Sequence, residues 1–283
     1  MNQTKVSLPY IFIVGNEKGG AGKTTCSMHL ITSLLHEGFN VSSIDADCRQ
    51  HSLTRYLDNR AEYNSKNPNH QVKMPNHFLL KESREDAISN RELSEKCYFE
   101  EVLEEAKKNT DIIVIDTPGS HTYLSTLVHS YADTVITPIN DSFIDIDVMA
   151  KVNADNLEIV QPSIYSQMIW EQKMQRAGRD RGSINWIVMR NRLSNLDAQN
   201  KRNVAAVLDK LAKRISFKQA PGFSERVIFR ELFLFGLTLL DLGIANYGKG
   251  MNISHVAARQ ELREFLKCLN LDELKAAKNF ENA

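Results

Sequence analysis

The sequence predicts an α/β fold, a mostly parallel twisted β-sheet with helices on both faces. Three observations predict it. Two β-branched runs, Tyr10 to Val14 and Ile112 to Ile115, are apolar at every position, as strands buried on both faces are. Stretches with apolar residues three, four and seven apart alternate with such runs, the spacing of helices that cover a sheet. Glycine and carboxylate clusters follow the strand candidates, at the end where open α/β sheets bind ligands. A single domain over residues 1–283 is the simpler expectation.

The elements follow in order. After the first strand, Met28, Leu30, Ile31, Leu34 and Leu35 mark a helix. Phe39 to Ile44 reads as a second strand ending at Asp45-Ala46-Asp47, and Leu53, Tyr56 and Leu57 suggest a short helix. Residues 58–77 are rich in Asn, Lys and Pro and read as an irregular excursion. An acidic amphipathic helix runs from about Glu95 to Lys108, with Phe99, Val102, Leu103 and Ala106 on one face. The Ile112 strand leads into Asp116-Thr117-Pro118-Gly119, then a helix with Tyr123, Leu124, Leu127, Val128 and Tyr131, then a strand from Thr134 to Thr137.

Ile144 to Val160 looks helical, with Ile146, Met149 and Val152 as core positions. Residues 161–183 read as a second, basic excursion anchored by Ile164, Tyr165, Met168, Ile169 and Trp170. Ile184 to Met189 is a strand ending at Arg190-Asn191-Arg192, and a helix from about Asp197 to Arg214 presents Val204, Val207, Leu208 and Leu211. The last clear helix spans about Ser254 to Leu269, with Val256, Leu262, Phe265, Leu266 and Leu269 facing inward.

Composition narrows the function classes. Apolar content of 42% and charged content of 25% are ordinary for a globular protein. The longest nearly apolar stretch, Leu232 to Leu240, is far short of the roughly 20 residues that span a bilayer. With no charged-then-apolar leader pattern before the first strand, a cytoplasmic location is expected. The four cysteines form no C-x-x-C pair, which argues against a disulfide framework or a zinc or iron–sulfur site. Net charge is zero, yet residues 171–230 hold 14 Lys/Arg against 5 Asp/Glu, so one face suits an anionic partner.

The chemistry starts at Asn16 to Thr25, N-E-K-G-G-A-G-K-T-T, between the first strand and the first helix. Glycines let backbone N–H groups approach phosphate oxygens, and the helix N-terminus adds partial positive charge. Gly19, Gly20, Ala21, Gly22, Lys23, Thr24 and Thr25 are thus the expected nucleotide-binding loop of a P-loop NTPase. Lys23 would reach the β- and γ-phosphates of ATP or ADP, and Thr24 would coordinate Mg²⁺. The usual formula, G-x-x-x-x-G-K-[ST], is met only in part, because Glu17 stands where the first glycine belongs. Asp116, at the end of an apolar strand, is the expected carboxylate that holds the magnesium through water. Asp45 and Asp47 are the expected pair to orient an attacking water or a metal-bound one, since phosphoryl transfer needs mainly positioning and charge neutralisation.

A second lysine, Lys18, lies five residues before Lys23, and K-G-G-x-G-K-T resembles the deviant phosphate loop of the ParA/MinD ATPase family. The resemblance implies that Lys18 crosses a dimer interface to the partner's nucleotide and serves catalysis with Lys23. It implies that Asp45, the first residue of a D-x-D motif, is linked to hydrolysis, with Asp47 in support. Asn191 would hydrogen-bond adenine, and Pro221 would flank the ring. Val14 to Lys23, Asp45 with Arg49-Gln50, Asp116 to Gly119, Pro138 to Phe143, Arg190 to Leu193, Leu211 to Arg214 and Arg226 to Leu240 resemble the MipZ subfamily.

That likeness implies a slow ATP-hydrolysing switch, monomeric with ADP and a homodimer with ATP sandwiched between subunits. The implied partners are ParB, FtsZ and non-specific DNA, with no membrane anchor and a nucleoid-associated location. Lys201, Arg202, Lys213, Arg214, Lys218, Arg226 and Arg230 are the DNA-binding candidates, through sequence-independent phosphate contacts. Gln199, Asn203, Val207 and Ser224 stand where the family pattern has arginines, which implies weaker DNA affinity. The alternatives are a ParA-type chromosome or plasmid partition ATPase and, of another class, a metabolic synthetase of the same fold, whose substrate pocket no motif marks.

Overall fold

The computed structural model describes residues 9–153, 155–192, 198–244 and 253–281, the side chains of 198–201, 253, 280 and 281 excepted. The strands are β1 Tyr10–Val14, β2 Val41–Asp45, β3 Asn76–Leu79, β4 Ile112–Asp116, β5 Thr134–Asn140, β6 Ala150–Val152, β7 Ile159–Pro162, β8 Asn185–Asn191 and β9 Lys218–Ala220. The helices are α1 Lys23–His36, α2 Ser52–Lys66, α3 Ile88–Lys107, α4 Tyr123–His129, α5 Phe143–Ile146, α6 Ile164–Asp180, α7 Ala198–Ile215, α8 Ile228–Leu234, α9 Ile253–Lys267 and α10 Leu271–Glu281.

Seven strands form one sheet in the order β3-β2-β4-β1-β5-β8-β9, and every pairing in it is parallel. Strand pleating sends alternate residues to opposite faces. Ile11 and Ile13 of β1 join a core with α3, α4, α6 and α7, while Phe12 and Val14 join a core with α1, α2, α9 and α10. The phosphate-loop strand is therefore buried on both sides. Pro138 is tolerated inside β5 because β1 pairs with β5 only as far as Ile136; beyond that point Asn16 Nδ2 donates to the Pro138 carbonyl at 2.6 Å.

The expected first excursion is irregular only over residues 67–75. Helix α2 continues to Lys66 and strand β3 begins at Asn76. Arg60 explains the length of α2, since its fully buried guanidinium meets the Asp241 carboxylate at 2.7 and 2.8 Å. The expected second excursion contains α6, whose Tyr165, Met168 and Ile169 are buried while Ile164 and Trp170 are exposed. The helix expected over Ile144 to Val160 is replaced by the short α5 and the antiparallel β6–β7 ribbon. Asn153 turns that ribbon: its Oδ1 accepts from the Asp155 and Asn156 amides, a local bond that competes with helix. Helix α3 starts earlier than the apolar stripe suggests, and Val256 on α9 is exposed rather than core. Gly236 has φ +65°, and a Cβ there would sit 2.0 Å from the Arg60 amide nitrogen, so only glycine fits that approach.

Candidate functional site

The loops after β1, β2, β4 and β8 gather at one end of the sheet around a cavity of about 510 Å³, lined by the glycine loop, Lys23, Thr24, Asp47, Arg192 and Phe233 among others. A larger cavity of about 600 Å³ is lined by Lys18, Val148 and Ile164 among others. It lacks glycine amides, and the phosphate site belongs to the first.

The glycine loop is braced from several sides. Asn16 Oδ1 accepts from the Lys18 amide at 2.8 Å, and the Tyr165 hydroxyl donates to the Gly15 carbonyl at 2.8 Å. Gly22 has φ +89° and opens α1 without any side-chain cap, which leaves the first-turn amides available to an anion. Lys23 is buried and its Nζ donates to the Lys18 carbonyl at 3.0 Å. Burial pulls its pKa below the ordinary lysine value, against the opposing charges of Asp116 and Asp47. An anion in the cavity would restore the balance.

Thr24 Oγ1 donates to Asp116 Oδ2 at 2.7 Å, and Ser27 Oγ to Asp116 Oδ1 at 2.8 Å. Asp116 is buried, and its pKa is pushed up to about 7 by burial first and then by Asp45, against the two hydroxyl bonds and Lys23. A carboxylate and a hydroxyl in contact beneath a phosphate loop form an oxygen donor set that suits Mg²⁺. The residues fit a magnesium nucleotide. Gly119 closes the other wall, where a Cβ would lie 3.1 Å from the Gly19 nitrogen.

Other expected residues sit differently. Asp45 is fully buried rather than facing the cavity. Its Oδ2 accepts from the amide and hydroxyl of Thr54, both at 2.9 Å, and its Oδ1 from the Asp47 amide at 3.0 Å. Asp47 is the one of the pair that lines the cavity. Asn191 is likewise engaged: Nδ2 donates to the Ala21 carbonyl at 2.8 Å and Oδ1 accepts from the Arg192 amide at 2.9 Å. It braces the phosphate loop, and Arg192 rather than Asn191 or Pro221 lines the cavity. Lys18 lies in an ion pair within its own chain, with Nζ 2.9 Å from Asp145 Oδ2.

The basic residues are dispersed in role. Arg214 donates to the Ile159 carbonyl at 2.6 Å and holds the ribbon, while Arg226 bonds Glu261 at 2.6 Å and Ser254 at 3.0 Å. Arg230 approaches Glu225 at 3.6 Å. Lys213, Lys218 and Arg202 are exposed, whereas the side chain of Lys201 and residue Leu193 lie outside the described residues. Sequence reasoning missed Asp145, Arg192 and Phe233. Arg192 and Phe233 lie within the stretches Arg190 to Leu193 and Arg226 to Leu240, and Asp145 follows Pro138 to Phe143 by two residues, so the family-like stretches carried the signal without marking which residues face the cavity.

A family model described as ATPase MipZ matches residues 10–273. The chain belongs to the MipZ family of ATPases. Its fold is shared with McdA from Cyanothece, solved in a variant complexed with ATP, at TM-score 0.54 and 18% identity over 89% of this chain and 96% of that one. It is shared also with the septum site-determining protein MinD from Pyrococcus horikoshii, solved with Mg-ADP, at TM-score 0.53 and 16% identity over 89% and 93%. Protein virC1 of Rhizobium radiobacter is 28% identical over 130 residues, 46% of this chain and 48% of that protein. The chain thus spans about half the length of the curated relatives it matches. This MipZ-family chain has no helix, among the described residues, long and apolar enough to cross a membrane.

Proposed function

We propose that this MipZ-family protein is a slow ATPase working as a dimerisation switch that couples DNA and ParB position to placement of the FtsZ ring. The observation that carries the reading is the convergence of Lys23, Thr24 and Asp47 on a glycine-lined cavity, with Asp116 bonded to Thr24 behind it and Lys18 preceding Gly19 in the chain. Magnesium, when bound, would supply charge neutralisation at the β- and γ-phosphates. Lys23 would bind the same oxygens, and the open amides of α1 would orient them. Asp47 is the carboxylate proposed to hold the attacking water, because Asp45 has its oxygens committed to Thr54 and Asp47.

Lys18 can act on a partner's nucleotide only by leaving Asp145, so in this reading the ion pair belongs to the separated subunit. DNA contact would fall to Lys213 and Lys218, since Arg214 and Arg226 hold their own chain. Size measurement by light scattering tests the switch: a non-hydrolysable ATP analogue should give a dimer and ADP a monomer. One size with both nucleotides would remove it. Asp47→Ala should abolish phosphate release while ATP still binds; normal turnover in that variant would return the water-holding role to another residue.

A further inference from the structure

Asp45 sits at the inner end of a chain of side chains that none of the chemistry above uses. Ser43 Oγ lies 2.9 Å from His77 Nδ1, and His77 Nε2 lies 3.0 Å from Thr54 Oγ1. Thr54 Oγ1 in turn donates to Asp45 Oδ2 at 2.9 Å. The order of protons along this chain is forced. A hydroxyl has one proton, and Thr54 spends it on the carboxylate, so the contact with His77 is one in which Thr54 accepts. His77 must then carry its proton on Nε2. Burial holds the His77 pKa below the ordinary value, against the charges of Asp45 and Asp58 and the Ser43 backbone. The neutral ring leaves Nδ1 as an acceptor, which the Ser43 hydroxyl satisfies. Every bond in the series points toward Asp45.

The end of the series matters because of what Asp45 holds. Helix α2 begins after His51 with no side-chain cap of its own. The Asp45 carboxylate, reaching from β2, accepts the Thr54 amide and so caps the first turn from outside, while its other oxygen fixes the Asp47 amide. The wall so held carries Asp47, Arg49, Gln50, Ser52 and Tyr56, all of which line the nucleotide cavity. His77 itself stands on β3, in register with Ser43.

We propose that His77 is a positioning residue of the nucleotide site. Its Nε2–H orients the Thr54 hydroxyl onto Asp45, and through Asp45 it sets where the Asp47 loop and the first turn of α2 stand against the phosphates. The proposal rests on the hydrolysis reading for its kinetic consequence and on the imidazole alone for its geometry.

Two substitutions separate positioning from general packing, made in the full chain. His77→Gln keeps an amide N–H near the Nε2 position, whereas His77→Asn is too short to reach Thr54. His77→Asn should lower kcat for ATP roughly tenfold, the size of one lost hydrogen bond, with ADP affinity changed less than about twofold. His77→Gln should recover turnover to within about threefold of the native chain. Equal losses in both variants, tracking a common fall in unfolding midpoint, would make His77 a packing residue and overturn the proposal. Nitrogen-15 NMR of the imidazole gives a reading independent of turnover: the native ring should show the Nε2–H tautomer with a protected proton, and Thr54→Val should expose that proton. An Nδ1–H tautomer would overturn the proposal outright. A native protein that hydrolyses no ATP would sink the hydrolysis reading, and the ring spectrum would still decide the His77 geometry.

Discussion

Two ion pairs tie distant parts of this chain together, and they are built for opposite ends. Arg60–Asp241 is sealed, with both side chains fully buried. Asp241 accepts two bonds from the guanidinium and two more from the amide and hydroxyl of Thr238, at 2.7 and 2.8 Å. The remaining guanidinium bonds go to the Lys73 and Gly236 carbonyls. Lys18–Asp145 is open on one side, with the lysine 32% exposed. Asp145 Oδ1 is buried without a partner, although Oδ2 accepts from both Lys18 and Ser142. A saturated pair has one arrangement, whereas a half-satisfied pair at a cavity rim has others close in energy. The first fastens α2 to the segment after α8; the second holds a lysine that the proposed dimer needs elsewhere.

The largest expected effect is on the sealed pair. Arg60→Ala or Asp241→Ala leaves a buried charge uncompensated and should cost about 3–5 kcal/mol in a denaturant titration. The double change Arg60→Met with Asp241→Leu should cost less than either single one, because it removes both charges from the apolar site. Single-change losses under about 1 kcal/mol would mean that water reaches the pair, and the contrast with Lys18 would collapse.

A smaller effect comes from pH. His29 packs beside the sealed pair, its Nε2 facing the Leu239 amide at 3.3 Å. Burial pulls its pKa down to about 4, against the bond to Thr25 and the charge of Asp241. His129, next to the glycine loop, is also pulled down to about 4 by burial. For each ring the folded pKa lies below the unfolded one, so the unfolded chain binds the proton first. Their stabilisation is complete above pH 6.5 and is lost as pH falls toward 4, by up to about 3 kcal/mol each. Asp241 holds longer. Burial alone would raise its pKa, but Arg60, His36 and Thr238 outweigh that and keep it below the usual carboxylate range, so its stabilisation survives until stronger acid. Urea midpoints that stay flat from pH 7 to 5 would show that the two rings are not held neutral.

The contrast also explains what the sequence made legible. The parallel sheet is readable because β1 and Ile112 to Ile115 of β4 are apolar at every position, and the phosphate loop because its glycines and lysines stand between an apolar strand and a helix. Helix α2 was read as short and then irregular, since its inward face carries Arg60, and a charged residue looks like surface until its partner 181 positions away is known. The β6–β7 ribbon escapes a reading by periodicity because Ile146, Met149 and Val152 stand three apart, a helical spacing, although only Ile146 lies on a helix and only Val152 on the ribbon. In the site, Asp45 and Asp47 differ by two positions in one motif, and residue type could not say which faces the cavity. The bonds from Thr54 decide it. Asn191 was placed correctly at a strand end, but the Ala21 carbonyl that takes its amide lies on a different loop.

The smallest stability effect is expected at Lys18. The pair is partly exposed and screened, so Lys18→Ala should change folding stability by less than about 1 kcal/mol, and added salt should narrow the difference further. Asp145 itself is only 4% exposed, but the lysine side of the pair opens onto a cleft lined by Lys18, so in Lys18→Ala water and the Ser142 hydroxyl would take the lysine's place beside the carboxylate. The functional effect should be the larger one: the ATP-analogue dimer should weaken by far more than the fold does. A double-mutant cycle with Asp145→Asn, read by urea midpoint and by light scattering on the same samples, checks both halves. Coupling of several kcal/mol in the folding arm would make Lys18–Asp145 a second structural clasp, and the difference between the two pairs would be one of burial alone.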